Sequence, residues 1–385
     1  MKRKIRMGMV GGSLNSFIGP VHRMAANIDG QIELVCGAFS SNPEESKKTG
    51  KALFLNSSRV YGSYKEMIEE EKKLPADVRM DFVSIVTPNH VHYEPAKLAL
   101  ENGFHVVMDK PITFSLAEAK LLQKIVDKTG LILALTHTYT GYPMVKEAKQ
   151  LVRSGKIGKV RKVYVEYPQG WLSQAEEKKG NTQAAWRTDP KRSGMGGAIG
   201  DIGTHAANLA EYITGASITE ICTLVNTVVP NRLLDDDTSM LVKFDNGASG
   251  VLLATQVAAG EENNLNIRVY GEKGGIEWRQ EEPNTLVVKW LDKPKEILRA
   301  GQAYLSDNAK AYVRTPAGHP EGYLEAFANI YRSFTNAFND YKPGKKINPA
   351  KYDFPDVADG VHGMNFVETV VKSAQSNKKW IAIKK

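Results

Sequence analysis

Ile5-Arg6-Met7-Gly8-Met9-Val10-Gly11-Gly12-Ser13-Leu14-Asn15-Ser16-Phe17-Ile18-Gly19 lies near the start of the 385-residue sequence and decides how the first half is read. Ile5 to Val10 is an apolar run of strand length, the residues after it are small, and a helical pattern follows from about Val21 to Ile28. A second apolar run, Ile32 to Phe39, completes a βαβ unit whose first loop is a phosphate-binding turn. Ser13 stands where the second glycine of G-x-G-x-x-G would be, and the loop is longer than usual. Backbone amides at the helix start still offer donors to a pyrophosphate, so the strand before and the helix after give the turn its meaning. Taken alone, the segment also reads as a plain tight strand-to-helix connection. Beyond the second strand, Gly37-Ala38-Phe39-Ser40-Ser41-Asn42 has neither an acid for a ribose diol nor an arginine for a phosphate, which leaves NAD and NADP both open.

Working outward, helices are expected at Pro43 to Ala52 and Tyr64 to Lys73. Asp81 to Thr87 reads as a buried strand ending in Thr87-Pro88-Asn89-His90-Val91-His92. Ligands of open α/β sheets bind outside the carboxyl ends of the strands, which makes these polar residues candidates. A helix from Val91 to Glu101 leads to a strand, Phe104 to Met108, that runs into Asp109-Lys110-Pro111. A lysine at such a strand end can donate to a substrate hydroxyl, or lose basicity through burial, although most lysines are surface residues. A cis bond before Pro111 is compatible with the sequence. Helix Leu116 to Lys128 and strand Leu131 to Leu135 finish a doubly wound parallel sheet, and the pattern changes near Thr136. The expected domains are residues 1–138 and 139–385.

In the second half, Thr136-His137-Thr138-Tyr139-Thr140-Gly141-Tyr142 is polar and aromatic where the last parallel strand ends, hence a cleft candidate. A helix, Met144 to Ser154, and a strand, Val160 to Tyr167, lead into a long irregular stretch from Pro168 to Gly197 that holds Gln169, Trp171, Trp186 and Arg187. Long loops in compact domains serve function or are disordered, and exposed tryptophan favours a lid or a sugar-stacking surface. Next comes Gly194-Met195-Gly196-Gly197-Ala198-Ile199-Gly200-Asp201-Ile202-Gly203-Thr204-His205. A helix starting near Gly200 puts Asp201 and His205 on one stripe with Asn208 and Tyr212, beside an apolar stripe of Ile202, Ala206, Leu209 and Ile213. The glycines permit close backbone approach. A solvated helix face after a flexible loop is the competing reading of this segment. Beyond it, about six strands between Thr219 and Trp290, separated by the turn signals Asp245-Asn246-Gly247 and Glu272-Lys273-Gly274-Gly275, predict a large open antiparallel sheet. One face is left for the Gly200 helix and the other for self-association as a homodimer or homotetramer. His319, in Thr315-Pro316-Ala317-Gly318-His319-Pro320, is either a second cleft imidazole or a capping-loop residue, and helices follow at Glu321 to Phe338 and Pro355 to Ser376.

Composition narrows the class. The net charge of +8 comes from 51 basic and 43 acidic residues spread through the chain, with short runs only at Lys2-Arg3-Lys4 and Lys384-Lys385. Such a field favours anionic cofactors, and no arginine and aromatic pattern argues for nucleic acid. Cys36 and Cys222 each sit in an apolar run, which predicts two buried reduced thiols and a reducing, cytoplasmic setting. No stretch approaches the length of a membrane span, and the histidines are too scattered for a metal-ligand motif.

A dinucleotide fold ending in Asp109-Lys110-Pro111, followed by Gly200-Asp201-Ile202-Gly203-Thr204-His205, resembles the Gfo/Idh/MocA oxidoreductase family over essentially the whole chain. The family's E-K-P is Asp-Lys-Pro here, which keeps the lysine, and its D-x-x-x-H is complete. Within the family, the run Thr136 to Tyr142, the spacing Gln169-Gly170-Trp171, and Ala317-Gly318-His319-Pro320-Glu321-Gly322-Tyr323 resemble levoglucosan dehydrogenase-like sugar 3-dehydrogenases. The resemblance implies an α/β chain: an N-terminal Rossmann domain with a doubly wound parallel sheet, then an α+β domain with a large open, mainly antiparallel sheet. It implies NAD more than NADP, a sugar or cyclitol substrate, no metal, and catalytic Lys110, Asp201 and His205. Tyr139, Gln169, Trp171 and His319 join Asp201 and His205 as implied substrate contacts. Implied cofactor contacts are Gly11, Gly12, Ser13, Phe17, Ile18, Ser40, Ser41, Thr87, Pro88, Asn89, His92, Asp109, Lys110, Trp186 and Arg187. An inositol dehydrogenase and a non-catalytic sugar- or cofactor-binding regulator are the alternatives.

The chemistry suits these residue types without the resemblance. Oxidising a secondary alcohol requires a base for the hydroxyl proton while hydride leaves carbon, and a neutral histidine can serve. A carboxylate one helical turn away orients the ring and favours its protonated product, and a lysine stabilises charge developing on the oxygen.

Overall fold

A computed structural model describes residues 3–383, so Lys2 and Lys384-Lys385 of the short basic runs lie outside the described residues. The chain divides into two compact units. One reaches to Thr138 and takes in Tyr323–Val361; the other holds Tyr139–Gly322 and the chain from His362 onward.

The first unit is built on five parallel strands, β1 (Ile5–Gly11), β2 (Ile32–Ala38), β3 (Phe82–Val86), β4 (His105–Met108) and β5 (Leu133–Leu135), in the order β2-β1-β3-β4-β5. Every residue of β3, β4 and β5 is buried, as expected of strands covered on both faces. The strand order reverses between β1 and β3, and the crevice of a doubly wound sheet opens there. The helix Tyr323–Asp340 lays Phe327, Ile330, Tyr331 and Phe334 into the same core as Met7, Met9 and Phe82. The sequence reading assigned this helix to a continuous second domain. An amphipathic pattern specifies that one face is buried and not what buries it, so the return of residues 323–361 to the first unit carries no local signal.

Burial in this unit has a pH consequence. His22 Nδ1 lies 2.7 Å from the Tyr331 hydroxyl, which is 3.0 Å from Ser84 Oγ, all three groups buried beneath the sheet. Desolvation lowers His22 and His105 to about 4 and His137 to about 3. The unfolded chain therefore binds protons that the folded chain refuses as pH falls below the ordinary histidine value, and stability present near neutrality is lost toward pH 4. Each such histidine contributes on the order of 3 kcal/mol to that loss. Thermal melts between neutrality and the lowered values should show the decline, and His22→Asn should make it shallower. An equal slope in the variant would remove His22 from the account.

The second unit carries a nine-stranded sheet. Its strands are β6 (Lys162–Pro168), β7 (Ile218–Asn226), β8 (Asp237–Phe244), β9 (Ser249–Thr255), β10 (Asn266–Tyr270), β11 (Gly274–Arg279), β12 (Thr285–Trp290), β13 (Glu296–Arg299) and β14 (Ile381–Ala382). They run in the order β13-β12-β11-β10-β6-β9-β8-β7-β14. Every neighbouring pair is antiparallel except β6 with β9, which is parallel. The helices Pro143–Arg153 and Thr204–Thr214 lie against it. β13 and β14 were not expected, being short and weakly patterned. The stretch from Pro168 to Gly197 is partly helical: Asn181 caps the helix Thr182–Arg187 and Asp189 caps Pro190–Ser193. Cys36 is buried, whereas Cys222 is only partly so, because its strand leaves one side open. No described helix is long and apolar enough to cross a membrane, and the described residues hold no cluster of potential metal ligands.

Candidate active site

In the first unit, β1 ends at Gly11 (φ 82°) and Gly12 (φ 75°), both in the left-handed region that favours glycine. A Cβ at Gly11 would stand 2.9 Å from the Val86 carbonyl oxygen and from Thr87 Cγ2. One at Gly19 would overlap Gly12 Cα. Arg23 Nη1 donates to the Gly12 carbonyl at 2.6 Å, and Ser16 folds back on the Ser13 carbonyl through N and Oγ, at 3.0 and 2.8 Å. The helix Ile18–Asn27 begins at Phe17 with no side-chain cap and no acid in its first turn, so its leading amides are left for an anion. Phe17 is exposed and Ile18 half-buried. At the end of β3, Thr87 Oγ1 is buried without a hydrogen-bond partner. A cradle with no room for a Cβ, an uncapped helix start and an orphaned hydroxyl at the switch point fit a dinucleotide.

Beyond β2, Ser40 Oγ accepts from Asn42 N at 3.1 Å, Ser41 is exposed, and Asn42 caps the helix Pro43–Ala52. Lys47 and Lys48, the first cations of that helix, pair with Glu44 and Glu45. Pro88 starts a short turn in which Asn89 is buried. His92 is buried with one ring nitrogen 2.7 Å from the Thr87 carbonyl and the other 2.7 Å from the Pro111 carbonyl. Asp109 Oδ1 accepts from Lys110 N at 3.0 Å and from Thr136 Oγ1 at 2.9 Å, and the Lys110–Pro111 bond is cis. His92 and Asp109 thus brace the turn that carries half-buried Lys110.

In the second unit, the glycine run is explained by Asp235. Its buried carboxylate accepts from Gly197 N at 2.6 Å and Ile199 N at 2.8 Å, and its backbone carbonyl accepts from Ala198 N at 2.9 Å. Burial pushes this carboxyl above its usual range, and the amides oppose that. A Cβ at Gly197 would overlap the Asp235 carbonyl oxygen, so the close approach expected of the glycines is to this loop. The turn that follows, Ile199–Gly203, is π-helical before the α-helix Thr204–Thr214 begins. Asp201 therefore sits on a widened turn and not on the regular helix that the spacing suggested; single π turns recur at functional sites.

Around that turn lies a hydrogen-bonded chain. Asp201 Oδ2 accepts from Arg187 Nε at 3.1 Å and from Gln256 Nε2 at 2.9 Å. Gln256 Nε2 is also 3.2 Å from Gln169 Oε1, which accepts from Trp171 Nε1 at 3.0 Å. Gln169 Nε2 donates to Asn263 Oδ1 at 2.6 Å, and Asn263 joins the Tyr167 hydroxyl at 2.7 Å and the Tyr139 hydroxyl at 3.2 Å. The two tyrosine hydroxyls bond each other. Tyr139 sets its ring edge to face against His205, centroids 4.8 Å apart, with Tyr167 at 6.4 Å. Burial raises the Tyr139 phenol, which keeps it protonated near neutrality.

The structure thus gathers Tyr139, Gln169, Trp171, Asp201 and His205, five of the six residues read as substrate contacts. His319 is exposed, its hydrogen bonds staying within the 315–320 loop. Arg187 stacks 4.2 Å from the Trp186 ring centroid and engages Asp201, while Trp186 Nε1 donates to Gln183; both tryptophans of the loop are half-buried, not exposed. Sequence reading missed Tyr167, Gln256, Asn263 and Asp235. A glutamine directly after the apolar strand β9 and the run Asp235-Asp236-Asp237 leading into β8 were the available signals.

The glycine turn, the uncapped helix start and the doubly wound parallel sheet define a dinucleotide-binding protein. Residues 5–137 match the oxidoreductase family model with an NAD-binding Rossmann fold, and residues 145–277 match the GFO/IDH/MocA C-terminal domain. An oxidoreductase from Sinorhizobium meliloti is 42% identical in structural alignment, with a TM-score of 0.88 over 99% of this chain and 100% of that one. An inositol dehydrogenase homolog from Azotobacter vinelandii, complexed with NADH and myo-inositol, is 32% identical, with a TM-score of 0.89 over 99% and 98%. Levoglucosan dehydrogenase of Pseudarthrobacter phenanthrenivorans is 25% identical over 99% of this chain and 98% of its own. The chain belongs to the Gfo/Idh/MocA family, and residues 5–137 are its NAD-binding Rossmann fold.

Proposed function

We propose that the protein is a dehydrogenase that transfers a hydride between NAD and a secondary hydroxyl-bearing ring carbon, with C3 of a pyranose sugar, glycoside or anhydrosugar the favoured position. The observation that carries this reading is the chain of amides and hydroxyls joining Asp201 to Gln169 and Trp171, with His205 beside Tyr139. Such a wall of polar groups and aromatic edges suits a polyhydroxylated ring. In this scheme His205 takes the hydroxyl proton, and Asp201 orients the imidazole and stabilises its cation. Lys110 donates to the substrate oxygen and offsets its developing charge. When bound, NAD supplies the hydride acceptor. Tyr139, Gln169 and Trp171 contact the ring, and His319 would reach it from its exposed loop. Gly11, Gly12, Ser13 and the first turn from Phe17 and Ile18 would hold the pyrophosphate. Ser40 and Ser41 would face the ribose, and Thr87 with Pro88 and Asn89 the nicotinamide half.

An inositol is the second substrate reading, favoured by the relative complexed with myo-inositol. A non-catalytic regulator is disfavoured by a complete Lys110, Asp201 and His205 set. The screen that separates them offers levoglucosan, glucosides, free sugars and inositols with NAD and NADP in turn. Reduced-cofactor absorbance is expected with NAD and a member of the panel; none across the whole panel would favour a binding protein.

The open side of the nine-stranded sheet is proposed to pair with a second copy in the cytoplasm, as a homodimer or homotetramer. Cys222, Leu241, Val251, Tyr164, Arg268, Glu277, Val287 and Ile297 form one row across it, none buried, next to a row that is buried from β7 to β12. Two of its cations are paired within the chain, Arg268 with Glu166 and Lys289 with Glu277, which lowers the cost of desolvating that part of the face. Sedimentation should find an oligomer, and a monomer at every concentration would refute the pairing.

A further inference from the structure

We propose that Gln256 is a positioning residue for the proton transfer, coupling the Asp201 carboxylate to the groups that read the substrate. This rests on the proposed roles of Asp201, His205, Gln169 and Trp171. Gln256 is 2% exposed and follows directly on β9. Its backbone is pinned on both sides: its N donates to the Asp236 carbonyl at 2.8 Å, and its carbonyl accepts from Leu172 N at 3.2 Å. Asp236 in turn adjoins Asp235, which holds the glycine run. The Gln256 amide is therefore fixed at its root, and its Nε2 stands between two acceptors, Asp201 Oδ2 at 2.9 Å and Gln169 Oε1 at 3.2 Å.

The chain of donors runs one way. An ionised carboxylate only accepts, so Asp201 fixes which end of the Gln256 amide faces it. The Gln169 oxygen then takes the Gln256 and Trp171 protons, and its amine faces Asn263. Reversing the Gln256 or the Gln169 amide would set acceptor against acceptor, and reversing that of Asn263 would set donor against donor, so the chain has one orientation. Within the second unit, the Asp201 carboxylate is faced by groups that include Arg187 from the helix Thr182–Arg187 and Gln256 from the end of β9, and the His205 ring by groups that include Tyr139 and Tyr167.

The Gln256 N–H shares the charge of Asp201. Without it, the carboxylate acts more strongly on His205, one turn away, and favours the imidazolium. Gln256→Leu removes the donor, and Gln256→Glu, nearly isosteric, sets a second acid against the first. The test is an NMR titration of isotope-labelled histidine in the whole protein, without substrate, with the His205 signal assigned by its absence from His205→Asn. The midpoint should rise by about half a pH unit or more in Gln256→Leu and further in Gln256→Glu. Coincident midpoints in the wild type and in whichever variants fold would overturn the proposal. If the midpoint moves while His205→Ala keeps full turnover, the coupling stands and the proton-acceptor role of His205 falls. If His205→Ala is inactive and the midpoints coincide, only the role of Gln256 falls.

Discussion

His205→Ala is expected to lower turnover by roughly 10² to 10⁴-fold and leave NAD binding nearly unchanged. The size follows from what a positioned base contributes: without it the hydroxyl proton must leave to water while hydride departs from carbon. The sparing of NAD follows from the proposed cradle, in which the glycine turn, the uncapped helix start and the Thr87 hydroxyl hold the cofactor without His205. Initial rates with the best substrate of the panel, together with NAD titration by fluorescence, measure both quantities. An unaffected rate would remove His205 from the chemistry, and a parallel loss of NAD affinity would show that the change acts through the fold. Lys110→Met should also lose rate, through the substrate oxygen that it is proposed to hold; normal turnover in it would exclude the lysine.

Gly197→Ala is expected to cost roughly 2–4 kcal/mol of stability, far more than a methyl group on an ordinary surface turn. The added Cβ would overlap the Asp235 carbonyl oxygen, and that oxygen cannot swing aside because it is backbone. Displacing it breaks the three-amide clamp on residues 197–199 and carries Asp201 out of line with Arg187 and Gln256. Gly200, three residues on, is the control. A Cβ there meets nothing within 4 Å, so Gly200→Ala should leave the denaturation midpoint level or raise it slightly. Equal midpoints for Gly197→Ala and wild type would mean that the clamp does not organise the turn.

The parallel sheet was legible in the sequence because its strands are short apolar runs bounded by turn residues, and because helices of ordinary length fill the gaps. The second sheet was legible as alternation alone. Alternation carries no direction, so the parallel pairing of β6 with β9 could not be read from it. Nor could the destination of Tyr323–Asp340, whose Phe327, Tyr331 and Phe334 match any core. In the site, Asp201 and His205 stood out through their spacing beside glycines. Gln256, Asn263 and Asp235 did not, because what they do depends on loops and strand ends brought together from distant parts of the chain. The glycines were read as permitting close backbone approach, and at Gly197 what approaches is Asp235.

Levoglucosan deuterated at C3 and myo-inositol deuterated around its ring, each incubated with NAD, test the central claim most directly. Mass spectrometry of the recovered cofactor should find deuterium in the reduced nicotinamide with at least one of them, and lose it in His205→Ala. Substrate consumed without label reaching the cofactor would contradict hydride transfer from a ring carbon, and with it the proposed function.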